Sequence, residues 1–430
     1  MFAEFPQIGG MVFAGDDEKF RNSIKLIQQE ISYRKKLFVS YGGSFDEFNR
    51  NSKEKVPQIL FIINNYDGLA ESYPTFFEDV TSICRDCARY GIYFIMTLNM
   101  PSSLARKASL CFTNRFVFHF SDAVQYSDAF SMRCKIRPRD IVGRGLVYCD
   151  GGIHEFQTFS ISDTDHSDSE IVQKLLSEVK TKNKTKAKQI PELPERVTME
   201  LIEKEIKDCR LIPIGVNRNS LKVAFIELTN YPIYTISSNR LSNMNPFMES
   251  LAMVLAKIPN CTIVFLDIQK QVPKVKEICP HYYDDNFDNV IDQLIKIEES
   301  DATRAKHYIY VFYGIEKIKS KISSTTVLEN LINYVKTNEH SYIILGDSSK
   351  ALRSLDYENW YIKARNAADG LWIGKGFGDQ QIFRIGKLTK EMSRNYTNNY
   401  GYLDSDSTPE LVKLIEFTDV VEEDGDLDEE

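Results

Sequence analysis

No stretch of these 430 residues is apolar over the roughly 20 positions that a membrane-spanning helix needs. The opening residues, MFAEFPQIGG, have neither the basic start nor the continuous apolar core of a secretion signal. Taken by itself, the chain is expected to be soluble and cytoplasmic. A surplus of cations is also missing. The net charge is −8, and the last twelve residues, DVVEEDGDLDEE, hold eight acids and no base, so the remainder balances to zero. General binding to nucleic-acid phosphate needs excess Lys and Arg, so affinity for DNA is not expected. The tail itself reads as disordered and solvated, with a docking role as the alternative. Eight cysteines are present, but Cys84 and Cys87 form the one C-x-x-C and no second pair stands at zinc spacing. They read as reduced core residues, and no metal site is expected. His119, His154 and His340 lack a Ser, Cys or carboxylate partner at a recognisable spacing, and His119 in FVFHF reads as a packed strand residue. G-x-S-x-G, HExxH and paired carboxylates are absent, which removes support for nucleophilic, zinc and glycosidase chemistry. The phosphate-cradling GxxxxGK[ST] is absent as well.

What the chain does contain is a pattern. With 43% hydrophobic and 27% charged residues it is an ordinary globular composition, long enough for two domains. Residues 17–38 form an amphipathic helix with Phe20, Ile24, Ile27 and Ile31 on one stripe. From Val56 to Asn99 the order is buried strand (Ile59–Ile63), polar corner, helix, buried strand (residues 92–97), the βαβ unit of a parallel sheet. Strands are expected again at residues 116–120, 145–149 and 155–159. Residues 163–197 change character: a short helix near 171–179, then the lysine-rich KTKNKTKAKQIPELPER, which reads as a linker. A helix at 199–209 follows, then strands PIYTIS, CTIVFLD, YIYVFYG, SYIILG, LWIGK and QIFRIG, with helices at 245–257, 287–299 and 326–337. The class is α/β with mainly parallel sheets.

The two halves repeat one order. ILFIINNYDGL…IYFIMTLN from Ile59 returns as IYVFYGIEKIKS…SYIILGD from Ile309, a spacing of 250 residues. The expected organisation is the C-terminal half of an ATPase-type module at 1–162, the linker at 163–197, a whole but degenerate module at 198–418 and the acidic tail at 419–430. The first module is expected to open at the piece just before its Walker B strand, without its early strands and phosphate-binding loop, so its sheet is expected to expose an apolar edge.

In a RecA-like motor ATPase the first of these strands ends in the acids that hold metal and polarise water, and the second ends in a sensor. Here the first ends in Asn64-Asn65, with Asp67 two or three positions late; amides position water but are not bases. Thr97 and Asn99 stand where a γ-phosphate sensor would. Arg115 and Arg144 are candidates for arginine fingers, or for structural contacts with carboxylates and helix ends. In the second module the phosphate loop should lie between Ile236 and Asn245. That place holds Ser237, Ser238 and Ser242 without a glycine, with Asn243 near the lysine position and Met244 near the Mg²⁺ hydroxyl. Of the matching Tyr313-Gly314-Ile315-Glu316, only Glu316 could polarise water. Whether the chain is an enzyme stays open; the chain alone is expected to be catalytically inactive.

These residues resemble the FtsK/SpoIIIE-type ATPases. PQIGGMV, TLNMPSS, TNRFVFHFSDAVQYSDAF and GRGLVY match the later strands and hairpin of such a module. More narrowly, EISYRKKLFVSYGGSFDEF, INNYDGLAESY and CARYGIYFIMTLN resemble the penultimate module of the EssC family, the membrane-anchored ATPases of type VII (ESX-like) secretion in Bacillota. IPIGVNRNSLKVAFIEL resembles that family's last, degenerate module. The resemblance implies tandem RecA-like modules, ATP and Mg²⁺ in the family with none held by this chain alone, and a homo-hexameric parent at the cytoplasmic side of the membrane. It also implies upstream motor modules and other secretion components as partners, with WXG100-type cargo recognised by the last module. Forkhead-associated domains, membrane helices and earlier modules are missing from these residues, so the chain reads as a C-terminal fragment acting in substrate recognition and regulation. The alternatives are an FtsK-like DNA translocase fragment, and a stand-alone non-catalytic scaffold completed by a partner.

Overall fold

The computed structural model describes residues 2–73, 82–104, 106–160, 167–182, 185–300 and 306–417; the acidic tail and Asp163–Asp165 lie outside them. Two compact units are present, Met1–Glu192 and Leu193–Glu430.

In the first unit, helix α1 (Asp17–Leu37) buries Phe20, Ile24 and Ile27, a three-and-four spacing that puts them on one face. Each such side chain contributes about 1.5–3 kcal/mol when withdrawn from water. Asp17 and Glu18 in the first turn and Arg34, Lys35 and Lys36 in the last complement the helix dipole. Arg34 is 1% exposed; its Nε donates to Glu30 (2.8 Å) and its Nη1 to the Tyr90 carbonyl (2.8 Å). That pair fastens α1 to the turn preceding the second strand. Strand β1 (Ile59–Ile63), helix α2 (Tyr66–Ser72) and strand β2 (Ile92–Met96) form the expected parallel pair, in register from Ile59↔Ile92 to Ile63↔Met96. Strand β3 (Phe116–Phe118), helix α3 (Val124–Phe130), β4 (Arg144–Cys149) and β5 (Gly152–Gln157) make an antiparallel meander, a separate three-stranded sheet. Helix α4 (Asp168–Lys182) follows and outruns the short helix expected near 171–179.

The segment read as a linker runs back along the N-terminus: Ala187 N–H donates to the Pro6 carbonyl and Ile190 N–H to that of Gly9, both at 2.7 Å. Gly9 permits this approach, because a Cβ there would lie 2.5 Å from the Lys188 carbonyl oxygen. Cys84 and Cys87 are buried, and desolvation pushes their thiols up to about 12 and about 11, which makes them inert packing residues.

The second unit is built on one ten-stranded sheet. Its strands in chain order are β6 (Leu211–Asn217), β7 (Val223–Glu227), β8 (Ile233–Ser238), β9 (Cys261–Asp267), β10 (His281–Tyr283), β11 (His307–Tyr313), β12 (Ser341–Ser348), β13 (Gly370–Ile373), β14 (Tyr400–Asp404) and β15 (Glu410–Leu414). In space the order is β10-β9-β11-β12-β8-β13-β14-β15-β6-β7, parallel as far as β13 and antiparallel beyond. Helices α5 (Asn245–Ala256), α6 (Phe287–Ser300) and α7 (Thr326–Thr337) pack on its faces and match the expected positions. With both faces covered, the strands are near-continuous apolar runs: along β11, Tyr308, Tyr310 and Phe312 join one core and Ile309, Val311 and Tyr313 the other.

Two expectations fail here. QIFRIG is not a strand, because the Gln380 side-chain oxygen accepts from Ile382 N–H (2.6 Å) and Phe383 N–H (2.7 Å) and folds the segment into a turn. Residues 199–209 hold only a helical turn, Met199–Ile202, and a 3₁₀ turn, Glu203–Glu205.

The repeat is visible in the hydrogen bonds, with one correction. Ile59 N–H donates to the Gly91 carbonyl as Tyr308 N–H donates to that of His340. Asn65 and Gly314 are both left-handed caps of the helix that follows. The structural offset is therefore 249 residues, not 250, and a one-residue change of register exchanges the two faces of a strand. Asn64 corresponds to Tyr313, and Asp67 to Glu316. In the second unit β8 lies between β12 and β13. In the first, their counterparts β2 and β3 have no strand between them among the described residues, and Leu60, Ile62, Ile95, Phe116 and Phe118 are exposed. Among the described residues no helix is long and apolar enough to cross a membrane, and no cluster of metal-ligating side chains occurs.

Candidate functional site

At the C-terminal ends of β1 and β2 the expected residues of the first unit meet. Asn65, at φ 60° and ψ 66°, turns the chain into α2 and accepts from Gly68 N–H (3.4 Å). Left-handed backbone of this kind suits Asn better than most residues other than Gly. Asn65 N–H donates to Thr97 Oγ1 (2.9 Å), and that hydroxyl donates to Asn64 Oδ1 (2.8 Å). Asn99 N–H donates to Asp67 Oδ2 (2.6 Å), and its amide Nδ2 to Asn65 Oδ1 (3.4 Å). All five residues are joined in one exposed network, in which Asn64 Oδ1, Asn65 Oδ1, Thr97 Oγ1 and Asp67 Oδ2 are each engaged within the group. The one carboxylate here, Asp67, holds a backbone N–H through Oδ2.

The two arginines are placed differently. Arg115 donates Nε to the Phe112 carbonyl, Nη1 to the Ala129 carbonyl and Ser131 Oγ, and Nη2 to the Ser109 carbonyl and Oγ. All five N–H donors of its guanidinium are engaged, so in this arrangement it is a clasp at the root of β3 with nothing left for phosphate. Arg144 lies 3.9 Å from Glu155, and its buried Nε has no partner. His119 falls just past β3, its side chain is 39% exposed, and Nδ1 lies 3.7 Å from Asp140. It is therefore not the packed strand residue expected.

In the second unit the phosphate-loop position is closed. Ser237 Oγ donates to the Asp347 carbonyl (2.9 Å) and Ser238 Oγ to that of Ile373 (2.8 Å), while Asn243 Nδ2 donates to Ser238 Oγ (3.2 Å). Leu241–Met244 forms a 3₁₀ turn that runs straight into α5, with Met244 fully buried and Ser242 exposed. No residue from 222 to 259 has a positive φ, so the turn has no left-handed residue with which to form an anion-holding nest of N–H groups.

Three residues not singled out in the sequence complete the site. Tyr313, at the position corresponding to Asn64, is wholly buried; its hydroxyl lies 2.7 Å from the Leu241 carbonyl, to which it donates, and 2.6 Å from Asn245 Oδ1. A phenol thus fills the space between strand end and turn where the family resemblance places metal and phosphate, and burial pushes it well above its ordinary pKa. Asp347 is 3% exposed and accepts from Glu316 N–H (3.0 Å) and Ser348 N–H (2.7 Å); burial raises its carboxyl to about 6 despite those bonds. Asp267 is fully buried and accepts from Val272 N–H and the Tyr282 hydroxyl, each at 3.0 Å. Glu316 lies 3.6 Å from Lys317. The sequence signal for the two aspartates was an acid closing each buried strand, in CTIVFLD and SYIILGD. Tyr313→Phe is expected to lower stability by about 1–2 kcal/mol, by leaving the Leu241 carbonyl unpaired, without creating nucleotide binding. Urea denaturation and nucleotide titration of the variant check both halves.

No family model matches the sequence. It is 25% identical over 256 residues to the ESX secretion system protein EccC of Geobacillus thermodenitrificans, covering 57% of this chain and 17% of that one. It is 22% identical over 299 residues to the type VII secretion system protein EssC of Staphylococcus aureus strain MRSA252, covering 65% and 20%. With EssC of strain MSSA476 the similarity extends over 408 residues at 19% identity, 90% of this chain and 27% of that one. The chain therefore spans between about a sixth and a quarter of the length of these relatives. Among solved structures, EssC (ATPases 2 and 3) of Geobacillus thermodenitrificans superposes with a TM-score of 0.82 over 97% of this chain and 82% of that one, at 18% identity. EccC (ATPases 2 and 3) of Thermomonospora curvata in complex with a signal sequence peptide gives 0.60 over 97% and 80%, at 15% identity. Homology to EssC and EccC runs over most of the chain, and the fold is that of their tandem ATPase modules.

Proposed function

We propose that this homologue of the EssC and EccC motor proteins of type VII secretion receives and regulates export cargo, with little or no ATP hydrolysis of its own. The observation that carries the reading is Tyr313, whose buried hydroxyl ties the end of β11 to the turn before α5 and leaves no phosphate cradle in the second unit. A surface released from nucleotide is free to bind a peptide, and a Thermomonospora relative of the same architecture is known in complex with a signal sequence peptide. The second unit is the receptor in this proposal, and the cargo class is the WXG100-type secreted protein with its C-terminal signal. The first unit, whose Asn64, Asn65, Asp67, Thr97 and Asn99 hold one another, acts as a non-hydrolytic spacer or regulator. ATP and Mg²⁺ belong to upstream motor modules, in a hexameric assembly at the cytoplasmic side of the membrane. DNA translocation forms no part of the proposal, because the charge outside the tail sums to zero.

The test is a titration of the full chain with a fluorescent peptide carrying a WXG100-type C-terminal signal, beside an ATP turnover assay. Saturable binding at about 10 µM or tighter is expected, with phosphate release at background. Magnesium-dependent turnover by the purified chain, lost on substitution of Ser237, Ser238 or Asn65, would overturn the reading.

A further inference from the structure

Between α3 and β4 the chain makes a long surface loop, SMRCKIRPRDIVGR, residues 131–144. It carries Arg133, Lys135, Arg137, Arg139 and Arg144 against the single carboxylate of Asp140. The first four are exposed, and among the described residues none of their side chains takes part in an ion pair. They do not hold the loop in place either. That is done by backbone bonds: Arg139 N–H to Glu155 Oε1, Arg144 N–H to the Ile141 carbonyl, and Thr158 N–H to that of Gly143. Four like charges within seven residues repel one another, so the cluster gains from an anionic partner. Apolar side chains alternate with them: Met132, Ile136 and Ile141 are between 43% and 46% exposed, and Val142 is 96% exposed. Beside Arg133, Lys135 and Ile136 lies a shallow cavity of ≈ 290 Å³ walled by Tyr148 and Ile153. A basic, partly apolar surface of this kind suits a protein partner.

We propose that this loop is the docking surface for the acidic tail, residues 419–430, of a second copy of the chain. The complementarity is direct: eight carboxylates on twelve residues meet a loop with four unpaired cations, and Val420, Val421 and Leu427 supply apolar side chains for the cavity and its rim. The tail brings three apolar residues and the loop exposes four besides the cavity wall, and in this proposal the body of the second molecule covers what the tail leaves. Tail of one copy on loop of the next is a heterologous contact, which propagates around a ring or along a filament instead of closing as a two-fold dimer.

Sedimentation of the full chain at low and high salt provides the test. At 50 mM salt we expect concentration-dependent association, weakening at least tenfold by 500 mM as screening shortens the range of the attraction. Contacts through the bare apolar strands of the first unit would instead strengthen with salt. Two variants complete the design: Arg133→Glu/Lys135→Glu/Arg137→Glu/Arg139→Glu, and Glu422→Lys/Glu423→Lys/Asp424→Lys/Asp426→Lys. Each alone should sediment as a monomer, and an equimolar mixture should associate again, which requires the tail of one molecule to meet the loop of another. A wild-type chain that stays monomeric at about 100 µM overturns the proposal. So does a loop variant that associates like wild type, a mixture that fails to recover, or wild-type binding to anionic vesicles that the loop variant alone loses.

Discussion

Replacing Arg115 with Ala is expected to destabilise the first unit by about 2–4 kcal/mol and to leave the second untouched. The guanidinium spans the carbonyls of Ser109 and Phe112, ahead of β3, and of Ala129 in α3, and so ties the segment entering β3 to the helix that follows it. Removing a charged donor costs about 1.5–3 kcal/mol for a strong bond, and more when several part-buried acceptors lose their partner together. Arg115→Lys should recover only part of the loss, because an ammonium cannot reproduce a five-donor planar fork. Arg144→Ala should cost about 1 kcal/mol or less, since its one ion pair is 3.9 Å long and part-exposed. The readout can be confined to the affected unit. Both tryptophans, Trp360 and Trp372, lie in the second unit, so their fluorescence midpoint in urea should not move. Amide exchange across β3, β4 and β5 should accelerate. An Arg115→Ala chain of wild-type stability would show that the clasp is dispensable and would return the residue to the list of arginine-finger candidates.

The second large effect concerns pH. Asp404 on β14 is 1% exposed, and neither carboxyl oxygen has a hydrogen-bond partner. Burial first, and the nearby Asp369 second, push its carboxyl up to about 7. An unfolded Asp gives up its proton near pH 4, so between about 4 and 7 the folded chain binds more protons than the unfolded one. Stability attributable to this group is fully present below pH 4 and falls as pH rises through that window. The loss is expected to reach about 2–4 kcal/mol by pH 8. Asp347, raised to about 6, adds a smaller loss of the same sign. His307 acts in the opposite sense below about pH 6.5, because burial and His340 lower its pKa and disfavour its charged form in the folded chain. Asp404→Asn should remove most of the decline above pH 6, seen as converging urea midpoints at pH 6, 7 and 8. Unchanged slopes in the variant would show that Asp404 is not the titrating group.

Much of the fold was legible because both units rely on strands whose apolar runs are bounded by sharp polar corners. Ile59–Ile63, residues 92–96 and helix Thr326–Thr337 were found almost to the residue. The convergence of Asn64, Asn65, Asp67, Thr97 and Asn99 was also readable, since adjacent parallel strands necessarily bring their C-terminal ends together. Three things were not readable. The offset of 249 depends on hydrogen-bond phase, which apolar runs without alternation do not reveal. Strands β14 and β15 are short and interleaved with polar residues, so neither period nor length distinguished them from loop. Tyr313 looked like one more strand aromatic, because nothing local in the sequence tells that its hydroxyl reaches Leu241 and Asn245 some seventy positions earlier. The clasp made by Arg115 was hidden for the same reason: five acceptors converge on it only in three dimensions.

That no strand lies between β2 and β3 among the described residues also shapes how the molecule opens. In the second unit β8 stitches β12 to β13, and the cores on the two faces of that sheet share strands β8, β9, β11, β12 and β13, so it should unfold as one cooperative block. In the first unit the β1–β2 ladder rests on its own cluster around Phe20, Ile63 and Ile92, and the meander on another around Val117, Tyr126 and Leu146. With no ladder joining them, these are two separate foldons, each free to open at its own free energy. Native-state exchange in dilute denaturant should therefore resolve two isotherms before the global transition, one for each half of the first unit.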